Sequence, residues 1–152
     1  YEEIQSDDTA FLILGGSANH RKQAKDYQLK NVKFLDTTSD ISLIHKFLNT
    51  LDVYAHGRSD GEQCSSAIIE GLSHSLPMIS HTAVSMGQLE QIGDAGVVVD
   101  GYEDYAQAMK KMMNNKNFYV ECKLNAEKRY KEIYDVSSII KSFIDLYKEV
   151  VS

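Results

Sequence analysis

Three features that would point to large or charged partners are absent from this sequence of 152 residues. No apolar run approaches the roughly 18 residues that a membrane-spanning helix needs, and no signal peptide is recognisable at the start. The net charge is −6, whereas a nucleic-acid partner requires a basic face, so general nucleic-acid binding is excluded. A small anionic ligand is not excluded, because it needs positive potential only locally.

Cysteine and proline are also scarce. The two cysteines, Cys64 and Cys122, lie far apart in the sequence and form no pair with metal-ligand spacing. They are expected to be reduced thiols, which predicts a cytoplasmic location. The single proline, Pro77, opens a short apolar run, where its missing N–H is tolerated at the first residue of a strand. No Ser-His-Asp or Cys-His arrangement and no metal-ligand cluster is recognisable.

The composition that remains is that of a globular domain. Hydrophobic residues make up 43% and charged residues 25%, and the length is sufficient for one domain with a core. We therefore expect a single domain over residues 1–152. Because the chain begins with Tyr1 rather than Met, we expect it to be a fragment of a longer protein.

Short apolar runs alternate with helical patterns along the whole chain. The runs lack polar alternation, which is typical of strands buried on both faces of a parallel sheet. The predicted strands are 10–14, 31–35, 52–56, 77–80 and 96–100. The predicted helices are 19–29, 41–48, about 64–75, 85–92, 102–114, about 117–134 and 136–151. Asp40 and Asp135 are the expected N-caps of the helices at 41–48 and 136–151. This order predicts the α/β class: an open parallel sheet of about five or six strands, helices on both faces, and C-terminal helices packing on the domain.

In such sheets ligands bind at the carboxyl ends of the strands, so the loops that follow the strands are the candidate binding loops. Gly15 and Gly16 follow the first strand and are predicted to line the ligand, although a plain strand-to-helix turn explains them equally well. His81 follows the fourth strand and is a weaker candidate for contact with a ligand.

The stretch 59–70 after the third strand is the most informative part of the chain. It reads as a glycine-containing loop that enters a helix, with Glu62 in the loop and Glu70 in the helix. The first N–H groups of a helix lack intrahelical partners and lie at the positive end of the helix dipole, so this turn suits a phosphate. Alternatively, Glu62 is a helix-start charge and Glu70 an ordinary exposed helical glutamate.

The order of these motifs resembles the retaining GT-B glycosyltransferases of the group 1 type. In this chain Glu62 is followed by seven residues, Glu70, and a turn through small residues to Pro77 and a strand. The flanking runs at 10–16, 31–36 and 96–100 match the family in order. The resemblance spans nearly the whole sequence and implies the Rossmann-like, C-terminal half of a two-domain enzyme.

The resemblance implies a nucleotide-diphosphate sugar as donor substrate, with no metal and no other cofactor. The catalytic residue would be Glu62, which contacts the donor sugar near the reacting centre, while Glu70 accepts hydrogen bonds from the ribose hydroxyls. The implied substrate-binding residues are Arg58, Gly61, Gln63, Cys64, Ser65, Ser66 and Glu70, together with Gly15 and Gly16. The implied partner is an N-terminal acceptor-binding domain, which leaves room for peripheral membrane contact through that domain.

Two departures from the family pattern leave alternatives open. Gln63-Cys64-Ser65 stand where the family commonly has Gly-Phe-Gly, and Ser65 either crowds a phosphate or adds a hydroxyl donor. The family's first strand and helix, which usually bring an Arg and a Lys to the diphosphate, are not found before Tyr1. A nucleotide-sugar epimerase of the same fold and a non-catalytic binding module are therefore alternative functions.

Overall fold

The computed structural model of this chain describes residues 1–58, 63–82 and 87–151. It contains two compact units, Tyr1–Leu51 and Asp52–Ser152. Strands and helices alternate in both units, and every strand pairing within the described ranges is parallel. The predicted α/β class is confirmed, and the described residues contain five strands, in one sheet of two and one of three, where the sequence predicted a single sheet of about five or six.

The first unit is two strand–helix repeats. Its elements are β1 (Phe11–Leu14), α1 (Ala18–Asp26), β2 (Val32–Leu35) and α2 (Ile41–Leu48). The two strands pair in register, with Phe11 opposite Val32. Asp40 is the N-cap of α2, as the sequence predicts: its carboxylate accepts a hydrogen bond from Ser42 N at 2.9 Å.

The second unit is built on a three-stranded parallel sheet in the order β3-β4-β5. Its first elements are β3 (Tyr54–His56), α3 (Ser66–Ser73), β4 (Met78–His81), α4 (Gly87–Ile92), a 3₁₀ turn (Gly93–Ala95) and β5 (Gly96–Val99). Pro77 was predicted to open the fourth strand, but β4 begins one residue later. Proline has no N–H to donate, and Pro77 contributes only its carbonyl oxygen, which accepts from Tyr54 N at 2.9 Å.

Helices cover both faces of this sheet. Successive side chains of β4 point to opposite faces, so neighbouring residues contact different helices. On one face, Met78 lies against α3, where a Cβ on Gly71 would stand 3.0 Å from Met78 Sδ. On the other face, Ile79 lies against α5 (Tyr102–Asn114), whose Tyr105 hydroxyl donates to the Ile79 carbonyl at 3.0 Å. The core on this second face comprises Ile79, Tyr105, Ala108, Met112 and Cys122.

The C-terminal segment contains one unpredicted turn. Helix α6 (Lys116–Arg129) continues into a π-helical turn (Tyr130–Tyr134), where the sequence predicted a single helix. The backbone N of Asp135 donates to the Tyr130 carbonyl at 2.8 Å, which closes this wider turn. Asp135 then begins the last helix, as predicted, by accepting from Ser137 N at 3.0 Å.

Helix α7 (Val136–Val151) has an apolar stripe but no buried residue. It contacts the π-helical turn and leaves large hydrophobic side chains exposed. The exposed residues of this helix are Val136, Ile139, Ile140, Phe143, Ile144, Leu146, Tyr147, Val150 and Val151. Among the described residues, no helix combines the length and the apolar character needed to cross a membrane.

Candidate functional site

The candidate site lies where β3 ends and the chain turns towards α3. Arg58 follows β3 and is exposed, and Gln63 and Cys64 precede α3 and are exposed as well. Gly61 and Glu62 lie outside the described residues, so the catalytic role of Glu62 remains a prediction. The start of the predicted helix at 85–92 also falls partly outside them.

Ser65 is the N-cap of α3 and is almost fully buried, with 3% of its surface exposed. Its backbone is extended (φ −96°, ψ 117°), and its hydroxyl makes no capping hydrogen bond. The first bond of the helix runs from Ile69 N to Ser65 O at 3.3 Å. The N–H groups of Ser66, Ala67 and Ile68 therefore have no intrahelical acceptor, and no acidic side chain lies in the first turn. This turn is suited to a small anion.

The side chain of Gln91, at the end of α4, hydrogen-bonds both the N–H and the carbonyl of Ser65. Its Oε1 accepts from Ser65 N at 2.7 Å, and its Nε2 donates to Ser65 O at 3.2 Å. The same Nε2 lies 3.5 Å from Cys64 Sγ. Because the Ser65 N–H is engaged by Gln91, an anion at this turn would bind the N–H groups of Ser66 and the two residues after it.

Arg129 supports Gln91 from α6. Its Nε donates to the Gln91 carbonyl at 2.6 Å, and its Nη2 donates to the Glu90 carbonyl. Gly93 lies beside the guanidinium, where a Cβ would stand 2.6 Å from Arg129 Nη1, and its φ of +49° is a conformation that favours glycine. The side chain of Asn125 adds a bond to Asp94 O at 3.1 Å. Two residues of α6 therefore bind the carbonyl groups at the end of α4 and in the turn after it.

Glu70 lies on α3 one turn after Ser66, and both residues are exposed. The opposite side of the helix is buried through Ile68, Gly71 and Leu72. Glu70 is therefore on the solvent side of α3, as the alternative of an exposed helical glutamate predicts. The predicted contact of this carboxylate with ribose remains a prediction.

Gly15 and Gly16 lie in the first unit, where turn geometry and packing explain them without a ligand. Gly15 has φ +81°, a conformation that favours glycine. A Cβ on Gly16 would lie 2.6 Å from Phe34 Cδ1, so the ring of Phe34 occupies the space of a side chain. The alternative of a plain strand-to-helix turn is the one that this local geometry favours, and their ligand contact remains a prediction.

His81, at the carboxyl end of β4, packs against aromatic rings of the protein. Its ring centroid is 4.6 Å from that of Tyr105 and 5.4 Å from that of Tyr102. Burial lowers the pKa of His81 from its ordinary 6.5, while the negative charge of Asp100 acts in the opposite direction. The neutral imidazole is therefore favoured in the folded chain.

Gln88 is a second buried glutamine on α4, with 1% of its surface exposed. Unlike Gln91, its Nε2 and Oε1 have no hydrogen-bond partner in the part of the chain that the structure describes. Neither glutamine was singled out from the sequence. Over residues 1–58, 63–82 and 87–151, no group of three or more His, Cys, Asp or Glu side chains is arranged to hold a metal ion.

Comparison with protein families gives one match. The model of the family described as glycosyl transferases group 1 matches residues 2–129. A comparison with curated proteins finds no match.

Several solved structures share the fold. HepE from Anabaena in complex with UDP-glucose is 18% identical with a TM-score of 0.77, covering 95% of this chain and 42% of its own. A glycosyltransferase from Rickettsia africae is 16% identical with a TM-score of 0.75, covering 99% of this chain and 42% of its own. The pneumococcal O-GlcNAc transferase GtfA, in complex with UDP and GlcNAc, is 14% identical with a TM-score of 0.71, covering 93% of this chain and 29% of its own. This chain therefore spans less than half the length of these structures.

Proposed function

Because this chain belongs to the group 1 glycosyl transferases, we propose that it is the donor-binding, C-terminal part of a retaining glycosyltransferase that uses a nucleotide-diphosphate sugar. The observation that carries the proposal is the first turn of α3, where three N–H groups without intrahelical acceptors follow the carboxyl end of β3. The complexes of HepE with UDP-glucose and of GtfA with UDP support a nucleotide sugar as the donor class.

The proposed binding sites for diphosphate and ribose succeed each other along the axis of α3. The diphosphate binds the N–H groups that begin at Ser66, and Arg58 adds a positive charge from the other end of the loop. Glu70 stands about 6 Å further along the helix axis, where it accepts hydrogen bonds from the hydroxyls of the ribose. An ionised carboxylate accepts two hydroxyl donors at once. Glu62 contacts the donor sugar.

The proposed transfer needs little covalent chemistry from these residues. As the bond between sugar and diphosphate breaks, negative charge accumulates on the departing diphosphate, and the oriented N–H groups of α3 stabilise it. The residues that bind base, ribose and phosphate fix the donor relative to the acceptor. We propose that this transfer proceeds without a metal ion.

The acceptor is proposed to bind an N-terminal domain, because HepE and the Rickettsia enzyme have more than twice the length of this chain. The exposed apolar stripe of α7 supports this partner, since such a stripe needs a protein surface to cover it. A cytoplasmic location, and peripheral membrane contact through the second domain, remain predictions.

Titration of the ¹⁵N-labelled chain with UDP, ADP and GDP tests the donor site. We expect at least one of them to shift the amide signals from Ser66 to Glu70, and inorganic phosphate to shift only those at the start of the helix. A nucleotide that shifts signals elsewhere and leaves α3 unchanged contradicts the proposal. An exposed glutamate on α6, Glu121, provides the control position, whose amide signal should not move.

A further inference from the structure

We propose that Gln91 is a positioning residue for the donor site. Its carboxamide makes two hydrogen bonds to the peptide groups of Ser65, the residue that immediately precedes the N–H groups of α3 that have no intrahelical acceptor. The expected effect of Gln91 on nucleotide binding rests on the proposed function. The hydrogen-bond geometry on which it depends is independent of any ligand.

The two bonds define the orientation of the peptide planes around Ser65. One bond fixes its N–H, and the other fixes its carbonyl, which also accepts the first helical bond from Ile69. The Ser65 carbonyl lies in the same peptide plane as Ser66 N–H, so the bond from Gln91 Nε2 restricts the direction of Ser66 N–H. The bond to Ser65 N–H holds the preceding peptide plane, so both peptide groups that enter α3 are restrained. Preorganised donors bind an anion more tightly, because the entropy of ordering them has already been lost on folding.

The helix starts of this chain differ in how they are capped. Ser17, Asp40, Asn115 and Asp135 each cap their own helix through the side chain, whereas Ser65 makes no such bond although it has a hydroxyl. A capping side chain would occupy N–H groups in the first turn, which an anion then could not use. The carboxamide of Gln91 instead binds the N–H and carbonyl of Ser65, and among the described residues no capping side chain binds the N–H groups of the first turn.

Gln91 is itself held in place. Arg129 binds its carbonyl and that of Glu90, and Gly93 lies beside the guanidinium. The side chain of Gln91 is 4% exposed, so water does not compete for its amide. The chain of contacts therefore runs from α6 through the end of α4 to the start of α3.

The test compares Gln91→Met with Gln91→Glu and wild type in the whole chain. Methionine keeps the length and volume but has no amide, and glutamate keeps the acceptor for Ser65 N–H but loses the donor to Ser65 O. Exchange of Gln107, an exposed glutamine on α5, for methionine is the matched control. Amide hydrogen exchange at Ser65, amide chemical shifts at Ser66 and Ala67, and the UDP dissociation constant are measured at a temperature where every variant is folded.

We expect faster exchange at Ser65 and shifted signals at the two following residues in Gln91→Met, a smaller change in Gln91→Glu, and none in Gln107→Met. The UDP dissociation constant should rise about five- to tenfold in Gln91→Met and recover partly in Gln91→Glu. Unchanged exchange and unchanged affinity in Gln91→Met overturn the inference, as does a loss of stability with full affinity. If wild type binds no nucleotide, the proposed function fails, and the exchange and shifts alone then decide whether Gln91 positions this turn.

Discussion

Gly96 lies directly against the backbone of Met78: a Cβ at position 96 would overlap the Met78 carbonyl oxygen. The two residues face each other in the parallel register of β4 and β5. Gly96 is in extended backbone that any residue adopts, so the need for glycine here comes from space and not from conformation.

Gly96→Ala should therefore separate the two strands at their first pair. We expect the free energy of unfolding to fall by about 3 kcal/mol or more, measured by urea denaturation, which is within the range of severe packing defects. Gly57→Ala is the matched control, because no atom of the described residues lies within 4 Å of a Cβ there. Equal stability of the two variants would contradict this account of β4 and β5.

His81 should make the stability of the chain depend on pH. Burial lowers its folded-state pKa below 6.5, so the unfolded chain binds the proton more readily. The stabilisation is complete above the unfolded pKa and is lost as the pH falls from about 6.5 through the folded pKa, with a slope of at most about 1.4 kcal/mol per pH unit. His81→Phe keeps a ring beside Tyr105 and should flatten this part of the profile in urea denaturation. If the pH dependence of the unfolding free energy between pH 7 and about 5 is the same in His81→Phe as in wild type, His81 is not its source.

The two buried glutamines of α4 should respond in opposite ways to the same change. Gln88→Met removes an amide that has no partner among the described residues, so we expect the free energy of unfolding to rise by about 1 kcal/mol. Gln91→Met removes the bonds to Ser65, and we expect a loss of about 1–3 kcal/mol. Thermal and urea denaturation of the two variants measure both effects. A loss of stability in Gln88→Met would show that its amide is bound in solution.

Glu70→Gln should affect ligand binding and leave stability unchanged. The side chain is exposed, so the free energy of unfolding should stay within about 0.5 kcal/mol of wild type. The neutral amide is a weaker acceptor for two hydroxyls, and we expect the UDP dissociation constant to rise about tenfold. Glu121→Gln, also exposed and on α6, is the control. Isothermal titration or amide shifts provide the measurement, and unchanged affinity would remove Glu70 from the site.

The stripe of α7 should contribute little to the stability of this chain. Ile140 and Phe143 are 53% and 59% exposed, so replacing both by serine should change the free energy of unfolding by less than about 1 kcal/mol. Ile68→Ala, at a fully buried position of α3, should cost about 2–5 kcal/mol in the same urea denaturation series. In a protein that also carries the proposed N-terminal domain, the double change should lower stability markedly. No effect there would mean that the stripe does not pack on that domain.

The elements of the fold were accessible from the sequence because each follows from a local pattern. The apolar run at 10–14 became β1, and Asp40 and Asp135 begin the helices that they were predicted to begin. The contacts that shape the candidate site were not accessible, because they join distant residues. The residues that flank Gln91 in the sequence do not predict that it binds Ser65. Those that flank Gly16 do not predict that the ring of Phe34 occupies the position of a side chain there.

The stripe of α7 is a second case in which a local sequence pattern does not predict a contact with a distant partner. Its 3.6-residue period predicts an amphipathic helix, and that helix is present. Periodicity describes which residues share a face but not what covers that face. The π-helical turn at Tyr130–Tyr134 was also missed, because one additional residue in a helical turn leaves almost no mark on an apolar pattern.

The order β3-β4-β5 has a consequence for folding. Neighbours in this sheet are also neighbours along the chain, so each pairing closes a loop of only one crossover helix and its turns. Loop-closure entropy grows with loop length, so these pairings lose less entropy than pairings between strands from distant parts of the chain would. The sheet β3-β4-β5 therefore needs no contact with a strand outside one continuous stretch of about 50 residues.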